Sequence, residues 1–196
     1  NYYALELFLE HPMSASNWSG RVDYIFSRSY GNSSGLLTAD RGDDSVGVTQ
    51  DWDNAYVMEN ANGLLSNNHK HQVKANAVYR FSPEWMVSGV VRIASGAPRY
   101  CLGFYGNDPY NPATNAPDGY GSLYHWCNGE PSPPGKQGNL PWTHQVDLNL
   151  TYAPAFADHK LSFNLSMFNA FNEQRPLAIY SRYNSSTTPS QLADLY

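Results

Sequence analysis

Hydrophobic and polar residues alternate with a period of two along several stretches of the chain. Between Trp18 and Ser29, for example, apolar residues occupy one parity and polar residues the other. Successive side chains of a β-strand point to opposite faces of a sheet, so this period predicts strands and argues against helices. The same signal predicts about six strands, over residues 3–9, 18–29, 71–81, 85–92, 145–152 and 161–167.

The predicted strands are long, and the segments between them alternate in length. The alternating stretches cover 7–12 residues, and we take each strand as roughly 9–12 residues, a length that crosses a bilayer at about 45° tilt, whereas a globular strand averages about 5–6 residues. Short turns alternate with long polar segments at approximately 30–68 and 97–141. Outer-membrane barrels have short periplasmic turns and long extracellular loops. The predicted fold class is therefore all-β, an antiparallel transmembrane β-barrel segment, and we expect its first strand to run outward from the periplasm.

The composition also favours a barrel over an ordinary soluble domain. Charged residues make up only 15% of the chain although the mean hydropathy is −0.53, and aromatic residues make up 14%. Many of the aromatic rings fall at predicted strand ends, as in the interfacial girdles of outer-membrane barrels. The net charge of −5 provides no basic surface, so we expect no nucleic-acid partner.

Polar residues on the second parity of the predicted strands are candidates for the lumen face. In a barrel wall this parity faces the water-filled interior, while the apolar parity faces lipid. The lumen-facing candidates are Arg21, Asp23, Gln72, Lys74, Asn76, Arg80, Arg92, Asp147 and Asn149.

The two long loops carry candidates for ligand contact and for a disulfide. Cys101 and Cys127 lie in one Gly- and Pro-rich segment, which is compatible with a disulfide in an oxidising compartment; two free cysteines are the alternative. The candidates for ligand contact in these loops are Asp51, Trp52, Asp53, Tyr105, Tyr120 and Trp126. The alternatives are that the acidic side chains are simply solvated and that the aromatic rings pack against one another.

Motifs for catalysis or cofactor binding are absent from the sequence. No Walker, GxSxG, HExxH or dinucleotide-binding pattern occurs. We therefore expect a protein that is not an enzyme, with no catalytic residues, no cofactor and no metal site.

Four segments together resemble the barrels of TonB-dependent receptors, and most closely those of the Oar-like branch. The segments are WSGRVDYIFSRSYGN (18–32), HQVKANAVYRFSPEWMVSGVVRIASGAPR (71–99), LPWTHQVDLNLTYAP (140–154) and HKLSFNLSMFNAFNEQRP (159–176). Each motif is short and degenerate, but their order and spacing extend over nearly the whole chain.

The resemblance implies a place in a larger protein. Residues 1–196 are expected to form the C-terminal part of a plugged barrel of about 22 strands, without its plug, TonB box and last strand. The full-length protein is expected in the outer membrane of a Gram-negative bacterium, where it would take up a scarce or bulky nutrient of the siderophore, oligosaccharide or peptide class. Its expected partners are outer-membrane lipid, its own plug domain, TonB and an unidentified ligand.

Two other functions fit parts of the pattern. One is a secreted, aromatic-rich β-sheet module that binds carbohydrate, and the other is a passive, porin-like barrel. A soluble module would carry hydrophilic residues on both outer faces, which the predicted strands do not. A porin would have no plug encoded upstream.

Overall fold

The computed structural model describes residues 1–33, 35, 50–106, 120–158 and 160–182. Parts of both predicted loops therefore lie outside the described residues. The strands are β1 (Tyr2–His11), β2 (Trp18–Gly31), β3 (Gly63–Leu64), β4 (His71–Arg80), β5 (Trp85–Ala94), β6 (Trp126–Cys127), β7 (Glu130–Pro131), β8 (Thr143–Tyr152) and β9 (Phe163–Met167). Among these described residues, the helices are α1 (Ala55–Met58) and two 3₁₀ turns, Met13–Ala15 and Ala155–Ala157.

The long strands form one antiparallel sheet in which each strand pairs with its neighbours in sequence. Their order is β1-β2-β4-β5-β8-β9, with β3 added beside the end of β2, while β6 and β7 form a separate hairpin. The prediction of an all-β, antiparallel fold is thus confirmed. Over the described part of the chain, the sheet does not close into a barrel.

Strand bounds differ from the predicted ones by one or two residues at seven of the twelve strand ends. Strand β2 continues to Gly31, past the predicted end at Ser29, because Tyr30 and Gly31 pair with β3 after the loop folds back. Strand β9 begins at Phe163 and not at Leu161. The extension of β2 depends on pairing with a segment that is distant in sequence, which alternation does not predict.

The short connections lie at one edge of the sheet, where two of them contact each other. Glu84, in the turn between β4 and β5, accepts a hydrogen bond from Ala155 N (2.6 Å), and its carbonyl accepts one from Ala153 N (2.8 Å).

Strand β1 ends at a short connection. If short connections face the periplasm, β1 must run toward the periplasm. The two expectations, that short connections face the periplasm and that β1 runs outward, are therefore incompatible with the observed order of connections.

Residues that pair across strands share one face of a sheet, so the register separates two faces. One face is almost wholly apolar and largely exposed: Leu5, Leu7 and Leu9 of β1 have exposed fractions of 56%, 55% and 79%. The other face carries most of the charged side chains. The apolar set comprises Leu5, Leu7, Leu9, Val22, Tyr24, Phe26, Val73, Ala75, Ala77, Val87, Val91, Ile93, Val146, Leu148, Leu150, Leu165 and Met167.

The buried apolar side chains lie in the connections and not in the long strands. Soluble proteins bury the apolar face of a sheet against another layer, and here the described residues place no second layer on it. No helix in the described ranges is long and apolar enough to cross a membrane. The buried hydrophobic residues are Val57, Ala61, Ala97, Tyr100, Leu102, Leu123, Tyr124, Trp126 and Leu140.

Candidate functional site

The structure places all of the lumen-facing candidates on the face opposite the apolar one. Cross-strand pairs such as Asp23–Lys74 and Lys74–Arg92 link three neighbouring strands on this face. Arg92 in turn pairs with Gln145, which extends the row to β8. The alternation of apolar and polar residues in the sequence was sufficient to predict which residues share this face, because the strand pairing places residues of the same parity on the same side of the sheet. We call this surface the polar face.

Near the short-connection edge, the polar face carries an ion pair with bidentate geometry. Arg21 donates to Asp23 from Nη2 (2.7 Å to Oδ1) and from Nε to both carboxylate oxygens (2.9 Å to Oδ1 and 3.1 Å to Oδ2), and from Nη1 to Glu10 (3.4 Å). The Arg21 guanidinium also lies over the Phe8 ring, 4.6 Å from its centroid. Exposed pairs contribute little stability, with a median of about 0–1 kcal/mol, so this cluster fixes side-chain positions more than it holds the sheet together.

Near the middle of the polar face, Asp147 accepts hydrogen bonds from three residues. Arg92 Nη1 donates to Oδ2 (3.0 Å), and Gln145 Nε2 donates to both carboxylate oxygens (3.0 and 3.1 Å). The third donor is the backbone N–H of Asn169 (2.9 Å). Asp147 thus connects β5 and β8 to the segment that follows β9.

The segment after β9 folds back over the polar face. Asn169 has a left-handed backbone (φ 49°), and its side chain exchanges two hydrogen bonds with the Glu173 backbone (2.9 and 3.1 Å). Glu173 accepts from Arg175 Nε (2.9 Å) and lies 3.4 Å from His144 Nδ1. The Arg175 hydrogen bond is the main reason that the pKa of Glu173 is lowered.

This segment and the adjoining strands enclose a groove of about 500 Å³. Lys74 and Arg92 lie along it with Glu173 and Arg175. The sequence prediction missed Glu173 and Arg175, because they lie beyond the alternating pattern that assigns residues to a face. Gln145 has the same parity as Asp147 and was predicted on the same polar face, but it was not among the lumen-facing candidates.

The two long loops meet in a small aromatic core. Val57, Tyr124 and Trp126 are buried together, and Tyr105 and Tyr120 pack against them. Tyr105 also donates a hydrogen bond to Glu59 Oε2 (2.6 Å), which raises the pKa of the Tyr105 phenol to about 12. We call these residues the loop core.

Cys101 and Cys127 form a disulfide beside the loop core, with their Cα atoms 5.6 Å apart. The bond closes a loop between residues that are 26 positions apart. It holds the Trp126 backbone close to Gly103, whose added Cβ would lie 2.8 Å from Trp126 O. The disulfide therefore fixes the segment that supplies Trp126.

Replacing both cysteines, as Cys101→Ser with Cys127→Ser, is expected to open the loop core and leave the sheet intact. A disulfide of this loop length stabilises by about 2–4 kcal/mol in chain-entropy terms. We expect protease cleavage within residues 101–127 to accelerate by at least about tenfold, with cleavage in the strands unchanged. Equal cleavage of the variant and the wild type would show that packing alone holds the loops.

The loop candidates for ligand contact differ in their accessibility. Trp126 has an exposed fraction of 8% and Asp51 of 5%, so neither presents a contact surface in this arrangement. Trp52 is 65% exposed and has a left-handed backbone (φ 72°), which is unusual for a bulky residue. Trp52 and Glu59 border an open depression of about 500 Å³. Within the described ranges, no group of three or more His, Cys, Asp or Glu side chains is arranged to hold a metal ion.

Membrane-length antiparallel strands with one apolar and one charged face define the class of wall segment found in outer-membrane β-barrels. The chain is similar to the TonB-dependent transporter Oar of Myxococcus xanthus, with 28% identity over 178 residues. The match covers 89% of this chain and 15% of that relative, so the chain spans a small part of the relative's length. The predicted resemblance to the Oar-like branch is confirmed at this distant level.

Two further comparisons gave no match. No family model matches the chain, and no solved structure matches it.

Proposed function

We propose that the chain forms part of the barrel wall of a TonB-dependent outer-membrane receptor. The apolar face contacts lipid, and the polar face lines the lumen. The observation that carries the proposal is the inverted distribution of burial: no apolar side chain on the six long strands is buried, and many on β1, β2, β8 and β9 are exposed, while the buried apolar residues lie in the loops. The similarity to a TonB-dependent transporter supports the same conclusion.

The orientation follows from the connections. Short connections face the periplasm and the long loops face outside, so the loop core and its disulfide lie on the cell surface. A disulfide is compatible with that side, because bonds of this kind persist in oxidising compartments. Trp52, Asp53 and Glu59, which are exposed near the depression, then lie where a ligand first meets the receptor.

In the full-length protein, the polar face contacts a plug domain, and TonB supplies the energy for uptake. The paired charges of Arg21 with Asp23 and of Arg92 with Asp147 keep this face hydrated without a large net charge. The ligand belongs to a class too bulky or scarce for diffusion, such as siderophores, oligosaccharides or peptides. The protein is a transporter and not an enzyme.

A growth experiment tests this function even while the ligand is unidentified. We expect deletion of the gene and deletion of tonB in the source bacterium to give the same defect on one limiting source of iron, carbohydrate or peptide. The double deletion is expected to be no worse than either single deletion, because both changes stop the same uptake. A gene-deletion defect that adds to the tonB defect, or a protein found in the soluble fraction, would contradict the proposal.

A further inference from the structure

The aromatic rings of the two long loops divide into a buried set and an exposed pair. Within the described parts of both loops, the Phe, Tyr and Trp side chains that are exposed are Trp52 (65%) and Tyr56 (42%). The other rings there are buried or half-buried, as Tyr124 and Trp126 are in the loop core. Packing within the loops therefore explains the buried rings but not the exposed pair.

Both exposed rings border the open depression of about 500 Å³. The Tyr56 ring is held there by an edge contact with Tyr105, with the ring centroids 5.1 Å apart. Trp52 has a left-handed backbone (φ 72°), which Gly or Asn adopts at a lower cost than a bulky residue. Backbone conformations of this kind concentrate at sites that bind ligands. A tryptophan at this position thus places a large ring at the surface, at a cost that the loop core does not explain.

Polar side chains at the border of the depression are held in place by one atom each. Glu59 Oε2 accepts a hydrogen bond from Tyr105 Oη (2.6 Å), and Asn54 Oδ1 accepts one from Tyr56 N (3.0 Å). No described residue donates to Glu59 Oε1 or accepts from Asn54 Nδ2. The depression therefore combines exposed rings with a positioned acceptor and a positioned donor.

The charge and shape of the depression discriminate between classes of ligand. Its described border contains no Lys, Arg or His, and it carries the carboxylate of Glu59. An anionic chelate or a phosphate would therefore be repelled. Peptides bind along a free strand edge or in a deep groove, whereas this depression is open and is built by residues 52–59, which contain α1 and no strand. A neutral ligand with one apolar face and a polar edge fits best.

We propose that Trp52 and Tyr56 bind a neutral oligosaccharide at this depression, with a pyranose ring stacked on Trp52. The C–H groups on one face of a pyranose form an apolar surface that matches an exposed aromatic ring. Its hydroxyl groups lie around the edge, where Glu59 accepts from them and Asn54 donates to them. This inference rests on the proposed function, which places the depression on the cell surface, and it names the class of ligand.

The test measures sugar binding to the purified full-length protein by isothermal titration calorimetry. The protein is kept in a detergent without a sugar headgroup, so that the detergent does not compete. The probes are neutral hexasaccharides of glucose, mannose, galactose and xylose, and at least one is expected to bind. Trp52→Asn is expected to weaken that binding by at least about tenfold, as is typical when a central aromatic contact is removed. Its thermal unfolding midpoint is expected not to fall, because Asn tolerates the left-handed backbone.

Three further measurements make the result specific. Trp52→Phe retains a ring and is expected to keep most of the affinity. Trp142→Ala removes another exposed ring (47%), which lies directly before β8 and stacks on His71, and is expected to leave sugar binding unchanged. Aromatic rings beside a carboxylate also bind organic cations, so tetramethylammonium is added as a competitor. We expect it to displace none of the bound sugar.

The outcomes separate this inference from the proposed function. A wild-type protein that binds none of the hexasaccharides would overturn the inference, as would equal losses of affinity in Trp52→Asn and Trp142→Ala. Displacement of the sugar by tetramethylammonium would reveal a cation site and would also overturn it. Accumulation of the bound sugar by cells, lost on deletion of tonB, would identify a soluble nutrient and support both proposals. Binding without such uptake would retain the site for a glycan of the cell surface and contradict the proposed function.

Discussion

Leu148→Arg is expected to prevent membrane assembly of the full-length protein, whereas Asn149→Arg, one position along the same strand, is expected to be tolerated. Leu148 lies near the middle of β8, pairs with Gly89 and Met167, and is 44% exposed on the apolar face. A cation on the lipid face of a barrel near the bilayer midplane costs about 2–4 kcal/mol. The side chain of Asn149 lies on the other face, where it donates to Ser166 Oγ (2.8 Å).

The comparison between Leu148→Arg and Asn149→Arg is informative because both changes introduce the same side chain, on the same strand and at nearly the same depth in the bilayer. They differ in the face of the sheet that receives the arginine. Assembly is measured as the fraction of protein recovered in the outer membrane and protected from added protease. The assignment of faces requires loss of assembly for Leu148→Arg and near-normal assembly for Asn149→Arg. Equal tolerance at both positions would mean that the apolar face does not meet lipid, and a soluble binding module would regain support.

The sheet was predictable because its signal is local. In a strand, the face on which a residue lies depends only on its parity, so the alternation between Trp18 and Ser29 was sufficient to assign that strand. The neighbours in the sheet followed from the order of the strands, since short connections join antiparallel neighbours. The direction of β1 relative to the membrane did not follow from alternation, because it also depends on which connection ends the strand and on the side that this connection faces.

The loops were not predictable in the same way. The contact between Val57 and Trp126 joins segments far apart in sequence, and no period or motif relates the two. Aromatic residues in the second loop suggested a ligand surface, but Trp126 is buried in the loop core. Composition indicates that a loop is rich in rings; only the folded arrangement shows which rings remain exposed.

The polar face illustrates a second limit. Arg92 and Asp147 were selected as lumen candidates by parity, and the structure joins them in one network. The same network includes Asn169 N, and the turn built by the Asn169 side chain positions Glu173 and Arg175 over the groove. That turn depends on a left-handed Asn backbone, a conformation that Asn tolerates better than most residues. Sequence alternation contains no information about it.

Gly96→Ala is expected to cause the largest loss of stability among alanine substitutions of the described glycines. Gly96 follows β5, where an added Cβ would overlap the backbone carbonyl of Leu140 and lie 2.7 Å from Pro141 O. These are backbone atoms, so they cannot turn away as a flexible side chain can. The two segments are also joined by a hydrogen bond from Leu140 N to Ala97 O (2.8 Å). Relief of the overlap must therefore separate the strand exit from residues 139–141.

Overpacking of this kind costs about 1–3 kcal/mol and occasionally more, and a backbone overlap belongs at the upper end. Gly31→Ala is the matched control, because a Cβ there meets only the Leu65 side chain at an ordinary 3.7 Å. Thermal unfolding of the detergent-solubilised full-length protein measures both changes. We expect a clear decrease in the midpoint for Gly96→Ala and little change for Gly31→Ala. If the two variants unfold alike, Leu140 does not lie against Gly96, and the path of the second loop back to the sheet is different from the one described.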